Sequence, residues 1–170
     1  MSDNATVSAN ASARTPQDRA TFYGVHYREV TGRNQVAIPK QFKRAMEEAQ
    51  EGQLLVMRWQ KEPFLRLYTK KQFDKKLDEV KSNPGLSLEQ RALSAAWMAK
   101  AAEPVEPDSQ GRFVLPAKWI EALGFKDEVA FCGAFTFIEV WPADVHRETE
   151  KAEPKELAPL GAALTSILNM

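Results

Sequence analysis

The chain has 170 residues, 44% of them apolar, which is enough for one ordinary domain or two small ones with a filled core. Lys plus Arg and Asp plus Glu stand at 23 each, so no global field directs the protein to nucleic acid or to a membrane, and any such surface must be a local asymmetry. Cys132 is the only cysteine, and the two histidines, His26 and His146, are far apart, which excludes an internal disulfide and argues against a metal site or a metal cofactor.

Residues 1–20 are small and polar and are expected to trail in solvent as a disordered tail. They lack the apolar run of a signal peptide, and nothing later approaches a membrane-spanning length, so a cytoplasmic protein without a membrane partner is expected. A first unit is predicted over residues 21–69. Tyr23, Val25 and Tyr27 alternate as in a strand, the turn TGRNQ follows, and Val36-Ala37-Ile38 form a short apolar strand. Pro39 suits the first turn of a helix, on which Phe42, Ala45, Met46 and Ala49 fall at helical spacing. Two more strands, QLLVMRW and FLRLY, complete the unit.

Residues 70–101 are predicted to be a helical spacer. Phe73, Leu77 and Val80 make one stripe, Asn83-Pro84-Gly85 breaks it, and Ser87 with Gln90 three residues on reads as a capping box. Trp97 and Met98 are either ordinary core or a contact face for another subunit. A second unit over residues 102–148 repeats the order of the first: the turn DSQGR, Phe113-Val114-Leu115, Pro116, a helix with Trp119, Ile120 and Leu123, then EVAFCGA and FIEVW. Residues 149–170 are charged and Pro-containing at first and apolar at the end, a tail or short helix that docks on the body or on a neighbour.

With Pro39 laid on Pro116, Thr31 falls on Asp108, Asn34 on Gly111, Gln35 on Arg112, Phe42 on Trp119 and Met46 on Leu123. After a shift absorbed in the loops, Tyr68 falls on Trp141. So many matches in order mark a duplicated unit.

These two units, TGRNQVAIPKQFKRAM and DSQGRFVLPAKWIEAL, with the helical spacer between them, resemble the MraZ family of bacterial regulators over about residues 21–148. The resemblance implies an α+β fold in which two swapped-hairpin ββαβ repeats form a pseudo-dimeric double-split β-barrel. It also implies a homo-oligomeric ring, nucleoid-associated, that binds double-stranded DNA at short direct repeats near a promoter and represses the division and cell-wall gene cluster. No small-molecule substrate or cofactor is implied. The family's mark is Asp, three residues, Arg, then an apolar strand and Pro. Asp108 and Arg112 keep it, whereas Thr31 and Gln35 stand at the matching positions of the first copy. Glu29 and Arg33 have the same spacing but misalign the strand by two residues.

The residue chemistry fits such a role. Asp108 can accept backbone N–H bonds and hold an Asx-type turn, with Gln110 inside it, while Gly111 can take a positive φ. Arg112 then either rigidifies the turn by pairing with Asp108 or offers its flat fork of donors to phosphate or guanine. In the first copy Thr31 can make the hydroxyl version of the turn, Asn34 tolerates the left-handed conformation, and Gln35 could read adenine but cannot neutralise phosphate. Charge in that copy lies elsewhere: Arg28, Arg33, Lys40, Lys43 and Arg44 face only Glu29 between residues 26 and 46, whereas residues 103–123 carry an acidic excess. DNA is therefore expected to meet the first copy more favourably, with Arg33 on phosphate.

Two other classes compete with a regulator. One is an oligomeric interaction protein of the same fold whose first DNA motif has decayed. The other, an enzyme, finds little support: no His is placed by sequence to activate Cys132, Glu47, Glu48 and Glu51 look solvated at a helix end, and neither a phosphate loop nor a nucleophile elbow is present.

Overall fold

The computed structural model describes residues 19–152 and 158–169, so most of the predicted tail lies outside the described residues. The first unit runs β1 (Val25–Glu29), a 3-10 turn, β2 (Gln35–Ala37), α1 (Lys40–Glu48), β3 (Leu54–Met57) and β4 (Leu65–Thr69). Helices α2 (Lys70–Lys81) and α3 (Leu88–Ala101) follow. The second unit has β5 (Glu103–Val105), β6 (Arg112–Val114), α4 (Ala117–Leu123), β7 (Glu128–Gly133) and β8 (Ile138–Pro142). Helices α5 (Ala143–Glu150) and α6 (Gly161–Leu168) end the chain.

The result is a mixed α+β architecture. Six strands form an antiparallel sheet in the order β1-β7-β8-β4-β3-β5, and β2 with β6 forms a separate two-stranded ladder. That order is a palindrome in the repeat. Each unit's first strand leaves its own unit and pairs with the third strand of the other: β1 lies on β7 with Val25 opposite Cys132, and β5 lies on β3 with Val105 opposite Leu54. Neither unit therefore closes its sheet alone.

Local chemistry accounts for the element ends. Thr69 caps α2 by accepting from the N–H of Gln72, and the predicted capping box at α3 is present in both directions, Gln90 N–H to the Ser87 hydroxyl and Ser87 N–H to Gln90 Oε1. Gly124 ends α4 in the left-handed conformation at φ 75°. At the end of β7, a Cβ on Gly133 would lie 2.3 Å from the Tyr23 nitrogen, so only glycine lets the incoming chain cross this strand so closely.

Phe22, Val36, Phe42, Phe113, Leu115, Phe131 and Ile138 are almost wholly buried in one cluster that joins the large sheet, the β2–β6 ladder and α1. Each such side chain is worth roughly 1.5–3 kcal/mol of transfer free energy. Met98 packs into a smaller cluster with Met57, Tyr68 and Phe73, whereas its neighbour Trp97 remains 48% exposed, so the two readings of this pair divide between the two residues.

Two expectations are corrected. Ala20 does not trail in solvent: it is fully buried, its N–H donating to Glu51 Oε2 and its carbonyl accepting from Gln72 Nε2. Glu51 is accordingly buried at 6% exposure, because it anchors this entering segment, while Glu47 and Glu48 are exposed as expected. In both units a helix follows the fourth strand, α2 after β4 and α5 after β8.

Candidate nucleic-acid interface

Both turns stand on the β2–β6 ladder, whose central pair is Val36 opposite Phe113, the same position of the two repeats. These two side chains point into the core. By alternation, Gln35, Ala37, Arg112 and Val114 point the other way, with Gln35 opposite Val114 and Ala37 opposite Arg112. Reciprocal hydrogen bonds extend the ladder at each end: Ile38 N–H donates to the Gly111 carbonyl and Leu115 N–H to the Asn34 carbonyl, both at 2.9 Å. The two turns are thus fixed side by side across one outward face.

The second turn has the predicted Asx geometry. Asp108 Oδ1 accepts from the backbone N–H groups of Gln110 and Arg112, both at 2.9 Å, and Oδ2 accepts from Arg112 Nε at 2.8 Å. The Arg112 N–H, the Arg112 guanidinium and the Gln110 N–H hold this carboxyl below the usual aspartate range despite some opposing desolvation. Gly111 sits at φ 79°. Because only Nε is engaged, the two terminal amino groups of Arg112 have no partner among the described residues; the side chain is 46% exposed. Pairing with Asp108 and presentation to a ligand are therefore compatible: the carboxylate orients the fork and leaves its outer edge free.

The first turn keeps the overall path with other bonds. Thr31 and Gln35 close it through backbone bonds of 2.8 and 3.4 Å, and the Thr31 hydroxyl donates to the Gln35 carbonyl at 3.2 Å. It does not accept backbone N–H groups, which corrects the expected hydroxyl copy of the Asx turn. Asn34 is left-handed, as expected, at φ 60°. Arg33 is left-handed too, at φ 66°, a strained conformation that composition did not foreshadow. Its side chain is exposed and has no partner among the described residues.

The remaining candidates divide. Lys40 is exposed, as is Arg44 one helical turn on, and neither has a partner among the described residues. Lys43 is drawn away, donating to the Ser109 carbonyl at 2.5 Å and lying 3.8 Å from Glu47, so it ties α1 to the second turn. Arg28, half-buried on β1, donates to the Tyr27 carbonyl at 2.8 Å and has no hydrogen bond or ion pair to either turn among the described residues. Lys118 of the second copy is paired with Glu103 and lies over the Trp119 ring. Sequence reasoning missed Ala37 and the 54%-exposed Val114 on the outward face; strand alternation was the signal that could have found them.

The Cys132 thiol is buried, and desolvation pushes it up to about 12, so it is a poor nucleophile near neutral pH.

Known proteins resemble this chain on both units. The family model described as "MraZ protein, putative antitoxin-like" matches residues 98–157, which include the second turn and β5 to β8. "Transcriptional regulator MraZ" of Bacteroides thetaiotaomicron is 27% identical over 139 residues, covering 81% of this chain and 85% of that protein. The chain is similar to MraZ along most of its length. Proteins of the same name from Cereibacter sphaeroides strain KD131 and Paenarthrobacter aurescens are 26% and 28% identical, covering 86% and 75% of this chain and 95% and 85% of their own. The similarity to MraZ thus reaches beyond the second turn to the first, where Thr31 and Gln35 stand.

Proposed function

We propose that this protein is a transcriptional regulator of the MraZ kind that holds promoter DNA on the outward face of the β2–β6 ladder. The exchanged strand order supports the swapped-hairpin, double-split barrel that the resemblance implies. The observation that carries the DNA reading is the juxtaposition of two turns on one face, with Arg112 oriented by Asp108 and Arg33 unpaired beside Asn34 and Gln35. Arg33, Lys40 and Arg44 supply phosphate contacts; Arg112, Gln35 and Gln110 are placed to meet base edges. Each chain makes a modest contact, and a cyclic oligomer set against short direct repeats multiplies these contacts through effective concentration. Repression of the division and cell-wall genes follows from occupancy of a promoter in the nucleoid, and the protein performs no covalent chemistry.

A second reading has support of its own. Lys43 is committed to Ser109 and the first turn lacks the family's ion pair, which favours an oligomeric interaction protein of the same fold that no longer binds DNA.

The deciding experiment is titration of the purified protein with DNA from upstream of its own gene across salt concentrations, alongside its mass in solution. A regulator gives saturable binding whose log–log salt slope is steep, about 0.9 per phosphate neutralised. A large oligomer indifferent to that DNA selects the interaction protein.

A further inference from the structure

The helix α6 and the helix α3 occupy corresponding places in the duplicated chain, α6 following α5 as α3 follows α2. Their surroundings differ. Helix α3 has a seat on its own unit, where Met98 and Ala101 pack against Leu55, Met57, Tyr68, Phe73 and Leu77. In strand register those five positions correspond in the second unit to Ala130, Cys132, Trp141, His146 and Glu150. There the His146 ring bonds Tyr27 at 2.7 Å, and the Glu150 carboxylate stands where Leu77 makes its contact. The seat that would receive α6 is filled and partly charged.

Helix α6 is nonetheless built to be covered. Residues 158–169 hold no charge, and Leu160, Leu164 and Ile167, at helical anchor spacing, are 51%, 44% and 65% exposed. A matching surface exists on the other unit. Trp59, Val80, Leu86, Leu93 and Trp97 line an open apolar groove of about 650 Å³ beside α3, with Leu93 64% exposed and Lys100 its only charge. This groove lies on the first unit, where Trp59 follows β3 and Met98 of α3 packs beside Met57. Helix α5 instead runs towards the β1 edge of the large sheet, where Arg147 meets Glu128 of β7 and His146 meets Tyr27 of β1. The chain thus leaves α5 on the side away from its own groove.

We infer that α6 of one chain docks in the Trp59–Leu93–Trp97 groove of a second copy. Two different patches meet in such a contact, so it is heterologous and repeats from chain to chain until a ring closes. The inference supplies the contact for the assembly proposed above; it rests on that proposal's self-association and is independent of its DNA face.

The test uses full-length chains. Chains carrying Leu164→Cys are mixed with chains carrying Leu93→Cys and mildly oxidised; Cys132 is buried and serves as the background in each sample alone. Docking in trans predicts a covalent dimer in the mixture at least tenfold above either chain by itself. No such dimer, or a cross-link formed only when both substitutions share one chain, overturns the inference. In parallel, Leu164→Glu with Ile167→Glu should weaken association at least tenfold and shift tryptophan emission to the red as Trp59 and Trp97 lose cover. Because both leucine and isoleucine are already exposed, the body should melt unchanged. An unaltered mass overturns the docking contact. Binding to the upstream DNA, followed on the same variants, separates the two proposals: an intact, DNA-binding oligomer without the cross-link rejects α6 docking alone, whereas a monomeric wild-type protein rejects the assembly itself.

Discussion

At the second turn one carboxylate, Asp108, gathers two backbone N–H groups and a guanidinium, while Gly111 takes the left-handed conformation at no steric cost. At the first turn the Thr31 hydroxyl reaches a single carbonyl, and two residues with side chains, Arg33 and Asn34, are held at φ 66° and 60°. The second turn has the richer set of bonds within itself, while both rest on the same base, namely the Val36–Phe113 pair and the reciprocal Leu115–Asn34 and Ile38–Gly111 bonds. A motif can therefore lose its ion pair and keep its path when a duplicate supplies the missing support. What changes is the position of the cation, which moves from the strand residue, Arg112, to the turn residue, Arg33.

The largest effect should come from that shared base. Phe113→Ala should cost about 3–5 kcal/mol and Val36→Ala roughly 2 kcal/mol in chemical denaturation, both loosening the two turns together. Loss of protection at one turn only would break the idea of a common support. Next is Gly111→Ala, where the added Cβ meets the Lys43 side chain at an ordinary 3.5 Å, so backbone strain decides; a loss of ~1–2 kcal/mol is expected in the same assay.

Arg33→Gly sharpens the contrast because stability and binding should move in opposite directions. Relief of the left-handed strain should raise stability by up to ~1 kcal/mol, while removal of one phosphate contact should lower the salt slope of DNA binding by about one unit. A smaller effect concerns acid. Asp108 has its carboxyl lowered in the folded state, so its stabilisation is present at neutral pH and is lost as pH falls below the ordinary aspartate range through the folded value. Asp108→Asn should flatten that limb of the stability–pH curve, whereas Thr31→Val should leave its slope alone; equal slopes for wild type and Asp108→Asn would contradict the assignment.

Much of this was legible in the sequence because the duplication made each copy a check on the other. The Asx turn, Gly111, the left-handed Asn34, the capping box of α3 and most strands follow from short-range chemistry that residue types report directly. The strand β5 was not legible: Glu103-Pro104-Val105 has no alternation, and Pro104 is tolerated because β5 is an edge strand. The buried Glu51 and the diverted Lys43 were hidden for another reason. Their partners, Ala20 and Ser109, are distant in sequence and offer backbone atoms, so no pairing of side-chain types announces them.

The most direct measurement compares the salt dependence of binding to the upstream DNA for the wild type, Arg33→Ala and Arg112→Ala. If both turns face DNA, each substitution weakens binding and the Arg33 variant loses about one unit of slope. Slopes and affinities unchanged in both variants would contradict the placement of DNA on this face.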